Sequence, residues 1–135
     1  MRTLIAVLIF IAVGATALVV AGADARPTAG TYVGTTSEGR NITVIVTGKA
    51  VRSVEAHVLC GGSPSSVQAT DGGRIRGRRF SFDEDYLLSG AGSDEEAIHL
   101  DGRFHGTVLS GWVEYARSWR CQGRAHYRAN LVRTP

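Results

Sequence analysis

Two cysteines constrain what this chain of 135 residues can become. Each closes a run that reads as a β-strand. The first run is Val51-Arg-Ser-Val-Glu-Ala-His-Val-Leu-Cys60, and the second is Leu109-Ser-Gly-Trp-Val-Glu-Tyr-Ala-Arg-Ser-Trp-Arg-Cys121. The first alternates, with Val54, Ala56, Val58 and Cys60 on one face and Ser53, Glu55 and His57 on the other. A disulfide between Cys60 and Cys121 ties early strands to late ones. It closes a loop of about 60 residues, worth roughly 4 kcal/mol on the chain-entropy model.

The N-terminus supplies the compartment in which such a bond forms. Met1-Arg2 is a short positive start, and the run from Leu4 to Val20 is almost wholly apolar. Ala21-Gly-Ala23 and Ala23-Asp-Ala25 follow as small-x-small cleavage sites. This is the pattern of a secretory signal peptide over residues 1–25. The alternative is an uncleaved anchor, since the run approaches bilayer length. Either way the expectation is an extracytoplasmic domain, secreted if the signal is removed, in a space where a cysteine pair bonds. Any contact with a membrane is expected only through an uncleaved N-terminal segment.

Residues 26–29 read as a linker and residues 30–135 as one domain. The 17 glycines and the lack of helix-periodic runs point to short strands and turns. Strand signals cover Thr31–Thr35, Asn41–Thr47 and Val51–Cys60. Further signals cover Arg79–Asp83 (with a possible extension to Leu88), Ala97–Phe104, Val108–Arg117 and a last strand after Gly123. Inward positions include Phe80, Phe82, Ile98, Leu100, Phe104, Leu109, Gly111, Val113, Tyr115, Ala125, Tyr127, Ala129 and Leu131. The stretch from Val67 to Arg76 is one strand with an irregularity at Asp71-Gly-Gly73, or a hairpin turning at Asp71-Gly72. Counted once, it gives about eight strands. The expected fold is all-β: a small antiparallel up-and-down barrel, preceded by the signal helix. In such a meander Cys60 and Cys121 lie at the same end. Loops are expected at that end over 36–40, 61–66, 89–96 and 118–122, with shorter ones opposite. Long loops at one mouth suggest a binding rim there. Eight-stranded barrels, however, are either filled solid or hold one small ligand.

Several segments carry a resemblance. Gly30-Thr-Tyr-Val-Gly-Thr-Thr36, Asp101-Gly-Arg-Phe104, Ser110-Gly111 and Cys121-Gln-Gly123 resemble the turn and packing signals of small secreted bacterial β-domains of uncharacterised function with one disulfide. The resemblance implies a fold and no activity. The overall shape is similar to lipocalin-like and avidin-like barrels, without any of their ligand motifs.

Catalytic chemistry is not expected. His57, His99, His105 and His126 fall on outward phases or turns. His99-x-Asp101 would suit a metal only with partners that the spacing does not provide, so a solvated strand face is the expected role. No nucleophile elbow is present; Asp83-Glu-Asp85 lacks calcium-loop spacing, and Asp94-Glu-Glu96 sits in a loop where acidic residues solubilise. No cofactor and no metal is expected. Asn41-Ile-Thr43 matches a glycosylation sequon at a strand start and is discounted.

The candidate binding residues are Arg74, Arg76, Arg78 and Arg79, with Trp112 outward on its strand and Trp119 in the cysteine-end loop. Arginine forks suit carboxylate or phosphate, and exposed tryptophan is a frequent contact residue. The ordinary alternative is an arginine-rich face balanced by Asp83-Glu-Asp85, with tryptophan tucked under a loop. A net charge of +3 is too weak to imply a nucleic-acid partner. Two functions remain: a binding module for a small ligand or anionic envelope component, or a structural, protein-interaction domain with a solid barrel.

Overall fold

In the computed structural model the described residues are 26–70, 73–87, 95–118 and 121–135. The expected signal segment, 1–25, and Trp119 lie outside them. The described residues form eight strands: β1 (Gly30–Thr36), β2 (Asn41–Val46), β3 (Val51–Cys60), β4 (Ser63–Thr70), β5 (Arg79–Leu87), β6 (Glu95–His105), β7 (Val108–Ser118) and β8 (Cys121–Arg133). All pairings are antiparallel, in the order β4-β3-β2-β1-β8-β7-β6-β5. The fold is the expected up-and-down meander, with β8 returning to pair with β1.

Period-two alternation decides which side chains go inward. Ile42, Val44 and Val46 of β2, Val54, Ala56 and Val58 of β3, and Leu109, Val113 and Tyr115 of β7 are buried. So are Ala125, Tyr127 and Ala129 of β8, while Cys60, Phe82 and Leu131 are partly buried against the same core. Tyr32 meets Phe104 edge-on at 5.4 Å between ring centroids, and Phe80 lies 5.9 Å from Phe104. These rings pack together in the buried core on the concave side of the sheet. Every buried side-chain polar atom among the described residues has a partner. The phenol of Tyr127, for example, donates to the carbonyl of Asp101 at 2.8 Å.

Three expectations need correction. First, the barrel is not closed by hydrogen bonds. The sheet curls into a half-barrel whose edge strands are β4 and β5. These edges meet at the hairpin base, where Arg76 and Arg79 exchange backbone hydrogen bonds of 2.8 and 3.1 Å. The polar sequence of β4 explains the opening. Only Val67 and Ala69 of that strand are buried, and Pro64, which cannot donate to a ladder, belongs at an edge.

Second, 61–66 is not a loop. Gly61 and Gly62 alone make the turn, with φ of 58° and 86°, and Ser63 already pairs with Cys60. Two consecutive left-handed residues give the hairpin twist that suits paired strands. Third, the cysteine end does not carry the longer connections throughout, because β7 and β8 are separated there by two residues only. The expected acidic loop falls largely outside the described residues, which resume at Glu95. The arginine-rich connection 71–78 lies at the opposite end.

Of the ambiguous stretch, Val67–Thr70 belongs to β4, Asp71 and Gly72 lie outside the described residues, and the chain from Gly73 onward is again beside the start of β3. There Ala50 bridges to Arg74, Val51 N–H donates to the Gly73 carbonyl at 3.1 Å, and Ile75 N–H donates to the Lys49 carbonyl at 2.8 Å. The chain thus stays beside β3 before turning into β5. This carries Arg74 and Arg76 to the edge that faces β5.

Candidate functional site

The cysteine end is where loop length leads us to expect a binding rim, and its described residues are cross-linked by their own side chains. Cys60 and Cys121 are bonded, with Cα atoms 4.3 Å apart, joining the end of β3 to the start of β8. Beside them Tyr115 of β7 offers its hydroxyl proton to the Glu38 carboxylate at 2.9 Å, with the Leu59 carbonyl 3.1 Å away. The second oxygen of Glu38 accepts from Leu59 N–H at 3.3 Å. Burial pushes the Tyr115 phenol up to about 12, and the hydrogen bond to the Glu38 anion and its charge push in the same direction. Gly123 makes room for this ring, since a Cβ there would lie 2.6 Å from the tyrosine oxygen. Three strands and the β1–β2 turn are thereby cross-linked.

The outer face tells a different story. Ladder register arranges its side chains in rows that run across the strands. One row is Asp83, His99, Glu114 and Arg124. It neutralises itself: Asp83 contacts His99, and the Glu114 carboxylate accepts from Arg124 at 2.8 Å. The next row is Ser81, Asp101, Trp112 and His126. Here the Asp101 carboxylate accepts from Trp112 N–H at 3.2 Å and lies 4.0 Å from His99. Trp112 is 38% exposed, with the Arg124 guanidinium over its ring at 4.2 Å and His126 edge-on at 5.2 Å.

The third row is built from one charge. Arg76 sits opposite Arg79, Arg79 opposite Arg103, Arg103 opposite Ser110, and Ser110 opposite Arg128. All four arginines are exposed, and among the described residues none of them forms an ion pair. Asp83, which the sequence offers as a balancing charge, is turned to His99 instead. Like charges directly opposed on a sheet destabilise it.

The arginine row and the tryptophan row border a groove of about 720 Å³. Arg74, Arg76, Arg79 and Arg103 line it, together with Ser81, Ser110, Asp101, Trp112 and His126. The structure thus brings together four of the residues singled out from sequence: Arg74, Arg76, Arg79 and Trp112. Arg78 is not among the lining residues. It occupies the turn beside Gly77, and its carbonyl accepts from Phe104 N–H at 2.8 Å. Arg103, Arg128, Ser81 and Ser110 were not singled out. Their outward phase is readable, but their alignment depends on hairpin register. Chemically the groove can hold anionic groups on arginine forks and present serine hydroxyls and an indole to whatever carries them.

The remaining histidines are not gathered into a site. His57 lies on the exposed face of β3, 3.3 Å from Glu55, and His105 is exposed at the end of β6. No group of three or more metal-ligating side chains occurs among the described residues. The molecule so described is a curled antiparallel β-module with one disulfide and an arginine-rich groove on its outer face. No family model, curated protein or solved structure matches the chain.

Proposed function

We propose that the protein is a secreted, non-catalytic binding module that holds anionic groups in its outer-face groove. The observation that carries this reading is the unbroken cross-strand opposition of like charges from Arg76 to Arg79 to Arg103. A surface that only needs solubility intersperses its charges, as the row through Asp83, His99, Glu114 and Arg124 does. A row that opposes like charges loses stability, which is the usual signature of a functional requirement. The aromatic core on the concave side and the bridged cysteine end support an external site over a ligand held inside. The signal-like N-terminus and the disulfide support export. The ligand class is carboxylate-, phosphate- or sulfate-bearing, of the kind found on envelope polymers.

Calorimetric titration of the purified, oxidised protein with tripolyphosphate tests this. Saturable, salt-sensitive binding that Arg79→Gln and Arg103→Gln each weaken is expected. Binding that neither substitution affects would remove the reading.

A further inference from the structure

The arginines are arranged in a line, and a line selects among anions. Arg76, Arg79, Arg103 and Arg128 occupy one cross-strand row, interrupted only by Ser110 on β7. At the strand spacing of a sheet, the row extends roughly 19 Å from the extension of β4 to β8. A single phosphate or carboxylate is best held by donors converging on one point. Donors set out along a line match a ligand whose charges also repeat along its length.

Two neighbours narrow the class further. Trp112 lies in the adjacent row with its indole part-exposed and held in place by Arg124 and His126. A fixed, flat, amphipathic ring beside a cation row suits the apolar face of a pyranose. Asp101 also lines the groove, and it brings a carboxylate into an otherwise cationic site. A carboxylate accepts hydrogen bonds from hydroxyls, which a sugar supplies in number. Ser81 and Ser110 add hydroxyl donors and acceptors on the same floor.

On the anion-binding reading above, we propose that the ligand is a linear acidic polysaccharide of the uronic-acid type. It lies across strands β5 to β8, its carboxylates on Arg76, Arg79, Arg103 and Arg128 and one sugar ring against Trp112.

The test uses galacturonate oligomers of increasing length, with tripolyphosphate, long-chain polyphosphate and oligo-dT as controls on the oxidised protein. Affinity is expected to rise about tenfold from trimer to hexamer as further contacts become intramolecular. Arg128→Gln removes most of that gain, because its guanidinium meets only the longer chains. Trp112→Ala weakens uronide binding several-fold more than tripolyphosphate binding. Circular dichroism and thiol titration confirm that each variant is folded and oxidised. Uronide binding that is absent, or that does not strengthen with length, overturns this proposal, and so does polyphosphate or oligo-dT binding as tightly at equal charge. Loss of tripolyphosphate binding as well would instead locate the failure in the anion-binding reading.

Discussion

Arg79 and Arg103 stand directly opposite each other on β5 and β6, with Arg76 across from Arg79 on the other side. Sheets are stabilised by favourable cross-strand pairs, and this one places cations against cations. Arg103→Glu should therefore stabilise the fold by about 0.5 kcal/mol while weakening anion binding. Urea unfolding of the two proteins at low and high salt checks this. The gain should shrink as salt screens the repulsion. A variant less stable than the parent at low salt would show that the pair carries no repulsion.

The Cys60–Cys121 bond is expected to contribute about 2–4 kcal/mol, chiefly by restricting the unfolded chain. Cys60→Ser should lower the melting temperature markedly, and reductant should do the same to the parent. The folded protein, purified without reductant, should show no titratable thiol. Two free thiols would contradict the cross-linked end.

Tyr115 makes stability depend on alkaline pH. Its phenol is held near 12 in the fold, against an ordinary value of 10.0. The folded state therefore keeps a proton that the unfolded state releases. The stabilisation is complete below about pH 10 and is lost as pH rises toward 12. Burial, followed by the charge of Asp101, raises the Tyr127 phenol well above its ordinary value, with the same sign. Denaturant midpoints measured from pH 8 to pH 12 should fall across this window, with a shallower fall in Tyr115→Phe. An equal fall in that variant would assign the effect elsewhere.

Gly102 tests how tightly the concave side is filled. A Cβ there would meet the Phe80 ring and lie 2.6 Å from the Tyr127 hydroxyl. Gly102→Ala should cost about 1–3 kcal/mol through overpacking. A neutral substitution would imply room inside the curl that the side chains do not show.

Much of this architecture was legible in the sequence, because alternation fixes which side chains face inward. Val54, Ala56 and Val58, or Leu109, Val113 and Tyr115, could hardly be placed otherwise. Closure was not legible, since it depends on whether β4 and β5 pair, and β4 is mostly serine, proline and threonine. The same polar composition disguised Ser63–Ser66 as a loop and exaggerated the length of the cysteine-end connections. For the groove, the run Arg74-Ile-Arg-Gly-Arg-Arg79 and the outward Trp112 were visible. The opposition of Arg79 to Arg103 was not. Phase places a residue on a face, but only the hairpin turns set which residues meet across strands.

The most direct measurement is chemical-shift mapping of the isotope-labelled, oxidised protein titrated with tripolyphosphate. The account predicts saturable shifts at Arg74, Arg76, Arg79, Ser81, Arg103 and Ser110 and at the Trp112 indole, with little change around Cys60, Tyr115 and Cys121. Shifts confined to the cysteine end, or none at any residue, would contradict it.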